Sequence, residues 1–403
     1  MKKWRLWIVL TVLCSLLSGC WSSVPIEELN MQIGVALDSA EESGGEEVAN
    51  PEGGSHKKPE KIISTYQFTI PQGSGGAVMK SSASSSSSSF KNYYNMSETS
   101  DSIFEAMRQL SLRTRRTPIG HHLKVIVISE KLARSNNLTK IIDFFTRDND
   151  IRPSVMLFVS KGMAKDVLEN ALPGQTPAFV LEGIFNNRDR NMGIWEPVSL
   201  AKVVGPLQGK KSFLLQNVIP IDQETKLSGA GVINGETGKL VGFLDESELE
   251  GMAWLTGKGL GGVLKTYNPD TNDLLTYEVK TMHSKIKANV NNGQISFNVK
   301  ITSTGRYAEV FAEKSKKLHD GIVKKDKALL QKRVLEMVQT TVTKMQKELH
   351  TEAAGFGTSL HNQHPAVWRS VKDNWDETFS QIPITYEVNV NIEEYGASDT
   401  TAE

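Results

Sequence analysis

Cysteine is nearly absent: the 403 residues hold only Cys14 and Cys20, both close to the start. That scarcity and placement exclude a disulfide scaffold, a zinc–thiolate cluster and cysteine catalysis in the body of the chain. An excess of one charge is also missing, since 46 Lys and Arg face 46 Asp and Glu, with a pI of about 7.1. Nucleic-acid binders carry a basic excess or stripe, so no nucleic-acid partner is expected. Aromatic residues make up 7% and hydrophobic residues 39%. These globular values rule out a wholly disordered or collagen-like chain. Neither Gly-x-Ser-x-Gly nor His-Glu-x-x-His occurs, which removes familiar hydrolase classes.

The one long apolar run, residues 6–17, follows Lys2, Lys3 and Arg5. Its length suits the h-region of an export signal and is short for crossing a bilayer. Leu17-Ser18-Gly19-Cys20 comes next, and small residues before a cysteine at this point resemble the lipobox of bacterial lipoproteins. In that class cleavage precedes the cysteine, so residues 1–19 are expected to leave and Cys20 to carry diacylglycerol and palmitate-type acyl chains. Two chains make a stable anchor, at about 0.8 kcal/mol per buried methylene. Cleavage also removes three of the 46 basic residues and none of the acidic ones. The mature body is then slightly negative, and the lipid rather than net charge must hold it to a membrane.

Behind a tether at 20–30, the chain divides into three blocks, a number consistent with its length. In 31–208, alternation over 31–38 and β-rich chemistry over 61–71 predict two strands of a hairpin. Residues 39–60 (acidic, with Gly and Pro) and 72–97 (Ser at eight of the nine positions 81–89) read as flexible loops. Helical periodicity starts near Glu98. Buried strands at 123–129 and 154–160, each followed by a helix, then give an α/β unit whose last two strands run parallel. A helical stretch, 177–208, closes this block.

Block 209–272 reads as a small middle domain of short strands with a short amphipathic helix at 245–255. Block 273–396 is an α+β domain. Two alternating strands flank Asn291-Asn292-Gly293, a helix over about 319–351 carries one apolar stripe and a lysine-rich face, and a strand at 384–393 returns to the sheet. Residues 397–403 form a tail. The predicted class is mixed α+β, three consecutive domains of sheets with packed helices.

No constellation argues for chemistry. The run 257–262 (GKGLGG) lacks the P-loop spacing and reads as a flexible turn. His121 and His122 are adjacent, so in a strand they face opposite ways and cannot share an ion. His361 and His364 need a common helix to share one, which Pro365 disfavours. Asp148 and Asp150 sit beside Arg147 and Arg152 as a salt-bridge cluster. No metal and no cofactor are therefore expected. Two cationic clusters stand out as partner-binding candidates: Arg113, Arg115 and Arg116, able to meet bilayer phosphates or an acidic partner, and Lys324, Lys325, Lys332 and Arg333 on the long helix. Trp368 and Trp375, seven apart, read as core of the last domain.

Several stretches then line up with one family. They are Gly19-Cys20-Trp21, Ile26-Glu27-Glu28-Leu29, Ile33-Gly34-Val35-Ala36-Leu37-Asp38, the run 120–133 and Phe144-Phe145-Thr146-Arg147-Asp148 with Ile151-Arg152. Further along come Gly229-Ala230-Gly231-Val232, the run 239–244, Glu248, Trp254-Leu255-Thr256-Gly257, Gly355-Phe356-Gly357, Trp368, Asn374-Trp375 and Phe379. In collinear order over nearly the whole chain they resemble the C subunits of spore germinant receptors. The chain departs from that pattern at Ser22-Ser23-Val24-Pro25 and in the long 39–60 and 72–97 stretches.

The resemblance implies a lipoprotein on the outer face of the spore inner membrane. It would assemble with a membrane-embedded A subunit and a transporter-like B subunit that sense small nutrients, and the family supplies no catalytic residues to transfer. The expectation is a non-enzymatic receptor subunit. Its rivals are a solute-binding lipoprotein with a polar-lined cleft between domains and an envelope hydrolase with carboxylates converging on a pocket.

Overall fold

The computed structural model describes residues 28–40, 61–70, 91–310 and 320–394, with Lys3, Trp4 and Pro25. Cys20, the 41–60 and 72–90 stretches and the 397–403 tail lie outside the described residues.

The first sheet begins with β1 (Leu29–Ser39), β2 (Ile62–Thr69) and β3 (Tyr93–Ser100). After α1 (Ile103–Leu110) come β4 (Thr117–Ile119), β5 (Val125–Ser129), α2 (Glu130–Ser135) and α3 (Leu138–Arg147). Then follow β6 (Met156–Ser160), α4 (Ala164–Glu169), α5 (Pro177–Ile184) and α6 (Leu200–Gln208). Finally β7 (Phe213–Ile221), β8 (Glu224–Ile233) and β9 (Leu240–Leu244) join the same sheet. Its order is β3-β2-β1-β5-β6-β7-β8-β9, with β4 beside β1. The β1-β5-β6-β7 centre is parallel, and antiparallel pairs flank it on both sides.

Strands buried on both faces explain the near-continuous apolar runs of β5 and β6. Along β5, Ile126 and Ile128 face a core shared with α1, α2, α3 and α6, whereas Val125 and Val127 face one shared with α4 and α5. The hairpin of the first two strands and the parallel pairing of the 123–129 and 154–160 strands agree with the sequence reading.

Two expectations change. Residues 93–100 are a strand, not loop, because β2 offers an open edge and Tyr93 buries its ring there. The strands of block 209–272 also have no sheet of their own among the described residues. β7 pairs in parallel with β6, which as a buried apolar strand would otherwise expose a bare edge.

The second sheet contains β10 (Gly262–Tyr267), β11 (Leu274–Asn291), β12 (Gln294–Val310) and β13 (Ile384–Glu394) in that order. Between the sheets lies α7 (Glu246–Thr256), and between β12 and β13 run α8 (Asp320–Lys347), α9 (Phe356–Gln363), α10 (Pro365–Val371) and α11 (Trp375–Phe379). Asn292 and Gly293 both take positive φ, 50° and 80°, as the tight turn of the β11–β12 hairpin demands. On α8, Leu330, Val334, Val338, Val342 and Met345 form the buried stripe. The helix serves as a crossover, since β13 runs parallel to β12.

The helix expected to be amphipathic is buried on nearly all sides: Leu249, Gly251, Met252, Ala253, Trp254 and Leu255 are all buried. The cause is its position, packed against the first sheet, β11 and α8 together. A Cβ on Gly251 would stand 2.2 Å from Thr341 Oγ1, so only glycine permits that approach. Glu248 closes a capping box with Asp245 and receives Lys344 Nζ at 2.7 Å.

One buried carboxyl gives a pH-dependent prediction. Asp326 accepts from Tyr307 Oη at 2.9 Å, and burial pushes its carboxyl up, with the Tyr307 hydrogen bond and the Lys325 charge pulling partly back. A raised carboxyl contributes its stability below the unfolded value, about 3.9, and loses it as pH rises through the folded value. Asp326→Asn keeps the acceptor for Tyr307 and has no charge to desolvate. Its melting temperature is expected to exceed the native one near neutral pH, with the gap closing in acid, as thermal unfolding across pH would register.

Candidate functional site

The arginine cluster lies in the loop that leaves α1. Successive bonds from Ser111, Leu112 and Arg113 N–H to the carbonyls of Arg108, Gln109 and Leu110 tighten the helix end. Leu112 is thereby left 82% exposed. Arg113 donates to the Ser97 carbonyl at 2.6 Å and pairs with Glu98, while Arg115 is exposed. Arg116 is half-buried near Tyr94, whose hydroxyl donates to Asn30 Oδ1 at 2.8 Å. Burial pushes the Tyr94 phenol up, and the Asn30 hydrogen bond and the Arg116 charge offset part of that. The loop then enters β4, where Thr117 pairs with Leu29.

The cations of α8 do not form one free face. Lys325 pairs with Asp270, Lys332 approaches Glu336 at 3.9 Å, and only Lys324 points to solvent without such a partner among the described residues. Arg333 is half-buried near Glu250, whose carboxyl burial pushes up and Arg333 pulls back. Exposed pairs of this kind are screened by solvent, contribute little, and leave the cations available for exchange. The arginine loop belongs to the first sheet and α8 to the second, so the two clusters are separate surfaces.

A cleft of about 1560 Å³ opens between loops of the first sheet (195–214 and 234–237) and the segment 350–381. Trp368 and Trp375 sit edge to face on its wall with centroids 5.2 Å apart, and their inner edges pack on the core. The core reading of this pair therefore holds for one side only. Trp195 stands across the cleft with Lys258 Nζ 5.5 Å from its ring.

Two carboxylates knit the cleft together. Glu352 is buried and accepts from Ala354, Gly355 and Gly357 N–H at 2.6, 2.6 and 3.0 Å and from the Trp375 indole at 3.2 Å. Asp376 accepts from Glu352 N–H at 3.0 Å and from Asn234 Nδ2 at 2.8 Å. Burial pushes the Asp376 carboxyl up; the Glu352 and Glu236 charges push the same way, and its two hydrogen bonds oppose them. Sequence reasoning missed this node. Nothing local to Asn234 pairs it with residue 376.

The other candidates disperse. His121 and His122 lie in an exposed turn rather than a strand, with His121 3.4 Å from Asp150. Asp148 and Asp150 sit in the same exposed region, and neither lines the cleft. His361 ends in α9 and His364 caps it, beyond which Pro365 starts the next helix. The glycine run is packed, not loose: a Cβ on Gly261 would meet the Asp189 carbonyl at 2.0 Å. Among the described residues no three His, Cys, Asp or Glu gather as a metal site. No helix of the described residues is long and apolar enough to cross a membrane.

A mixed α+β body of two sheets defines the class, and comparison with known proteins gives the family. A spore germination protein N-terminal domain matches residues 22–219, and a spore germination B3/GerAC-like C-terminal domain matches residues 228–396. Spore germination protein YndF of Bacillus subtilis (strain 168) is 36% identical over 98% of this chain and 97% of its own length. Spore germination protein B3 of the same organism is 28% identical over 94% and 95%. A crystal structure of the GerBC protein superposes with a TM-score of 0.60 at 24% identity, covering 89% of this chain and 97% of that one, a likeness of fold. The chain belongs to this family of spore germination proteins.

Proposed function

We propose that the chain is the non-enzymatic, lipid-tethered C subunit of a germinant receptor. It sits on the outer face of the spore inner membrane through acylated Cys20 and assembles with A and B membrane subunits. The observation that carries this reading is the collinear match of both germination domains, 22–219 and 228–396, directly behind Gly19-Cys20. Its contribution is to stabilise the assembled receptor that triggers exit from dormancy, with the α8 cations Lys324, Lys325, Lys332 and Arg333 as a docking surface for acidic patches of those subunits. Affinity purification of the tagged chain from dormant spores is the test. Co-recovery of one A-type and one B-type subunit is expected, and recovery of the chain alone from gently solubilised membranes would contradict it.

A second reading, a solute-binding lipoprotein, finds support in the cleft, whose aromatic walls and polar rim suit a small polar ligand. Saturable heat of nutrient binding by the purified protein without its partners would favour it over the assembly role.

A further inference from the structure

The end of the first sheet at which the chain arrives from Cys20 carries its own bilayer-contacting surface. β1 opens at Leu29, nine residues after Cys20, and nine extended residues reach about 30 Å at most. Strand register places several segments at that same end. Leu29 pairs with Thr117, so the close of the 111–116 loop lies beside the tether's point of arrival, while the Arg113 guanidinium reaches back along β3 to Ser97 and Glu98. Gly34 pairs with Val125 and Val125 with Met156, which brings His121, His122 and Arg152 to this end as well. The close of β2 and the start of β3, with Ile70 and Lys91, complete it.

Charge and apolar exposure are both concentrated there. From Ala106 to Ser129 the sequence holds Arg108, Arg113, Arg115, Arg116 and Lys124 and no acidic residue. The carboxylates that face this stretch are few: Glu98 meets Arg113, Glu182 meets Lys124, Asp150 meets His121, and exposed Glu28 stands at the start of β1. Arg115, Arg116 and Arg152 have no carboxylate within ion-pair distance among the described residues, although the chain as a whole is neutral. Amid these cations Leu112 is 82% exposed and Ile70 45%. An apolar side chain ringed by arginines, at the end nearest an acyl anchor, is the chemistry of a contact with an anionic lipid interface.

Resting on the Cys20 tether reading, we infer that the 111–116 loop docks on anionic lipid headgroups, with Leu112 entering the headgroup layer and Arg115 and Arg116, which have no carboxylate partner among the described residues, meeting lipid phosphates. The acyl chains hold the protein at the membrane, and the loop sets which face looks down. Each arginine near an anionic leaflet multiplies the contact about fivefold, so the two together are worth about twenty-five-fold. The α8 surface, on the other sheet, is left for protein partners.

The test reconstitutes the full acylated chain into phosphatidylcholine vesicles with and without phosphatidylglycerol. An environment-sensitive fluorophore is attached at Leu112→Cys, with Lys161→Cys beyond the opposite end of β6 as reference. A blue shift and quenching by brominated lipid are expected at position 112 in anionic vesicles only. They should be absent at 161, abolished by high salt and lost when Arg115 and Arg116 are both changed to serine. Should that variant fold poorly, the salt series on the unsubstituted loop still decides. Equal signals at 112 and 161, quenching indifferent to lipid charge and salt, or crosslinking of position 112 to a protein subunit in spore membranes would each overturn the proposal. Failure of the Cys20 tether is separately visible, because the protein would then not float with vesicles at all.

Discussion

Replacing Lys344 by methionine is expected to lower the unfolding free energy by about 3–5 kcal/mol. The side chains of Lys344 and Glu248 are only 19% and 11% exposed, and the ammonium reaches both carboxylate oxygens at 2.9 and 2.7 Å. A charge that far out of water depends on its partner. Methionine fills the volume of the lysine stem and leaves Glu248 with no cation, so the loss comes from the stranded carboxylate, not from a cavity. Glu248 lies in α7, the element between the two sheets, and Thr341 Oγ1 on α8 donates to the Glu248 carbonyl one turn away.

The stranded charge therefore weakens the seam that joins the sheets. Adding Glu248→Gln to Lys344→Met should recover most of the loss, because glutamine can still accept from Asp245 N–H, now held at 2.7 Å, without carrying charge. Urea unfolding of the native, single and double variants measures the coupling. A single-variant loss below about 1 kcal/mol would place the pair among ordinary surface ion pairs instead.

That seam marks the limit of what the sequence made legible. β5 and β6 were readable because a strand buried on both faces must be apolar at every position, and α8 because its stripe repeats with the helical period. The Asn-Asn-Gly turn announced its hairpin, since few other residues accept the required φ. β3 gave no such signal. Its Tyr-Tyr-Asn-Met-Ser-Glu-Thr-Ser sequence is polar, follows a serine tract, and is extended only because β2 pairs with it.

The middle block looked separate because its strands are locally complete, whereas one parallel pairing with β6 merges β7, β8 and β9 into the first sheet and β10 pairs with β11 in the second. Long-range polar pairs were out of reach altogether. Glu248 and Lys344 are 96 residues apart, and Asn234 and Asp376 are 142 apart. The arginine cluster was legible as charge, but its place beside the tether depends on the Leu29–Thr117 pairing, which no local pattern encodes.

Cys20→Ala is expected to transfer the protein from the membrane pellet to the soluble fraction almost completely. The apolar run of residues 6–17 is short for a stable span, so under the proposed tether membrane residence depends on the acyl chains at Cys20. At about 0.8 kcal/mol per buried methylene, two acyl chains outweigh any peripheral contact the slightly negative body can make. Because alanine at the cleavage site can also leave the leader uncut, the mass of the mature amino terminus must accompany the fractionation. A second variant, with residues 1–20 exchanged for an ordinary secretory signal, separates loss of lipid from retention of the leader. Protein released by either route should retain only a weak, salt-labile affinity for anionic vesicles, supplied by the loop at 111–116. Salt-resistant membrane association of a correctly cleaved Cys20→Ala protein would mean that the body itself, or its protein partners, and not the lipid, provides the hold.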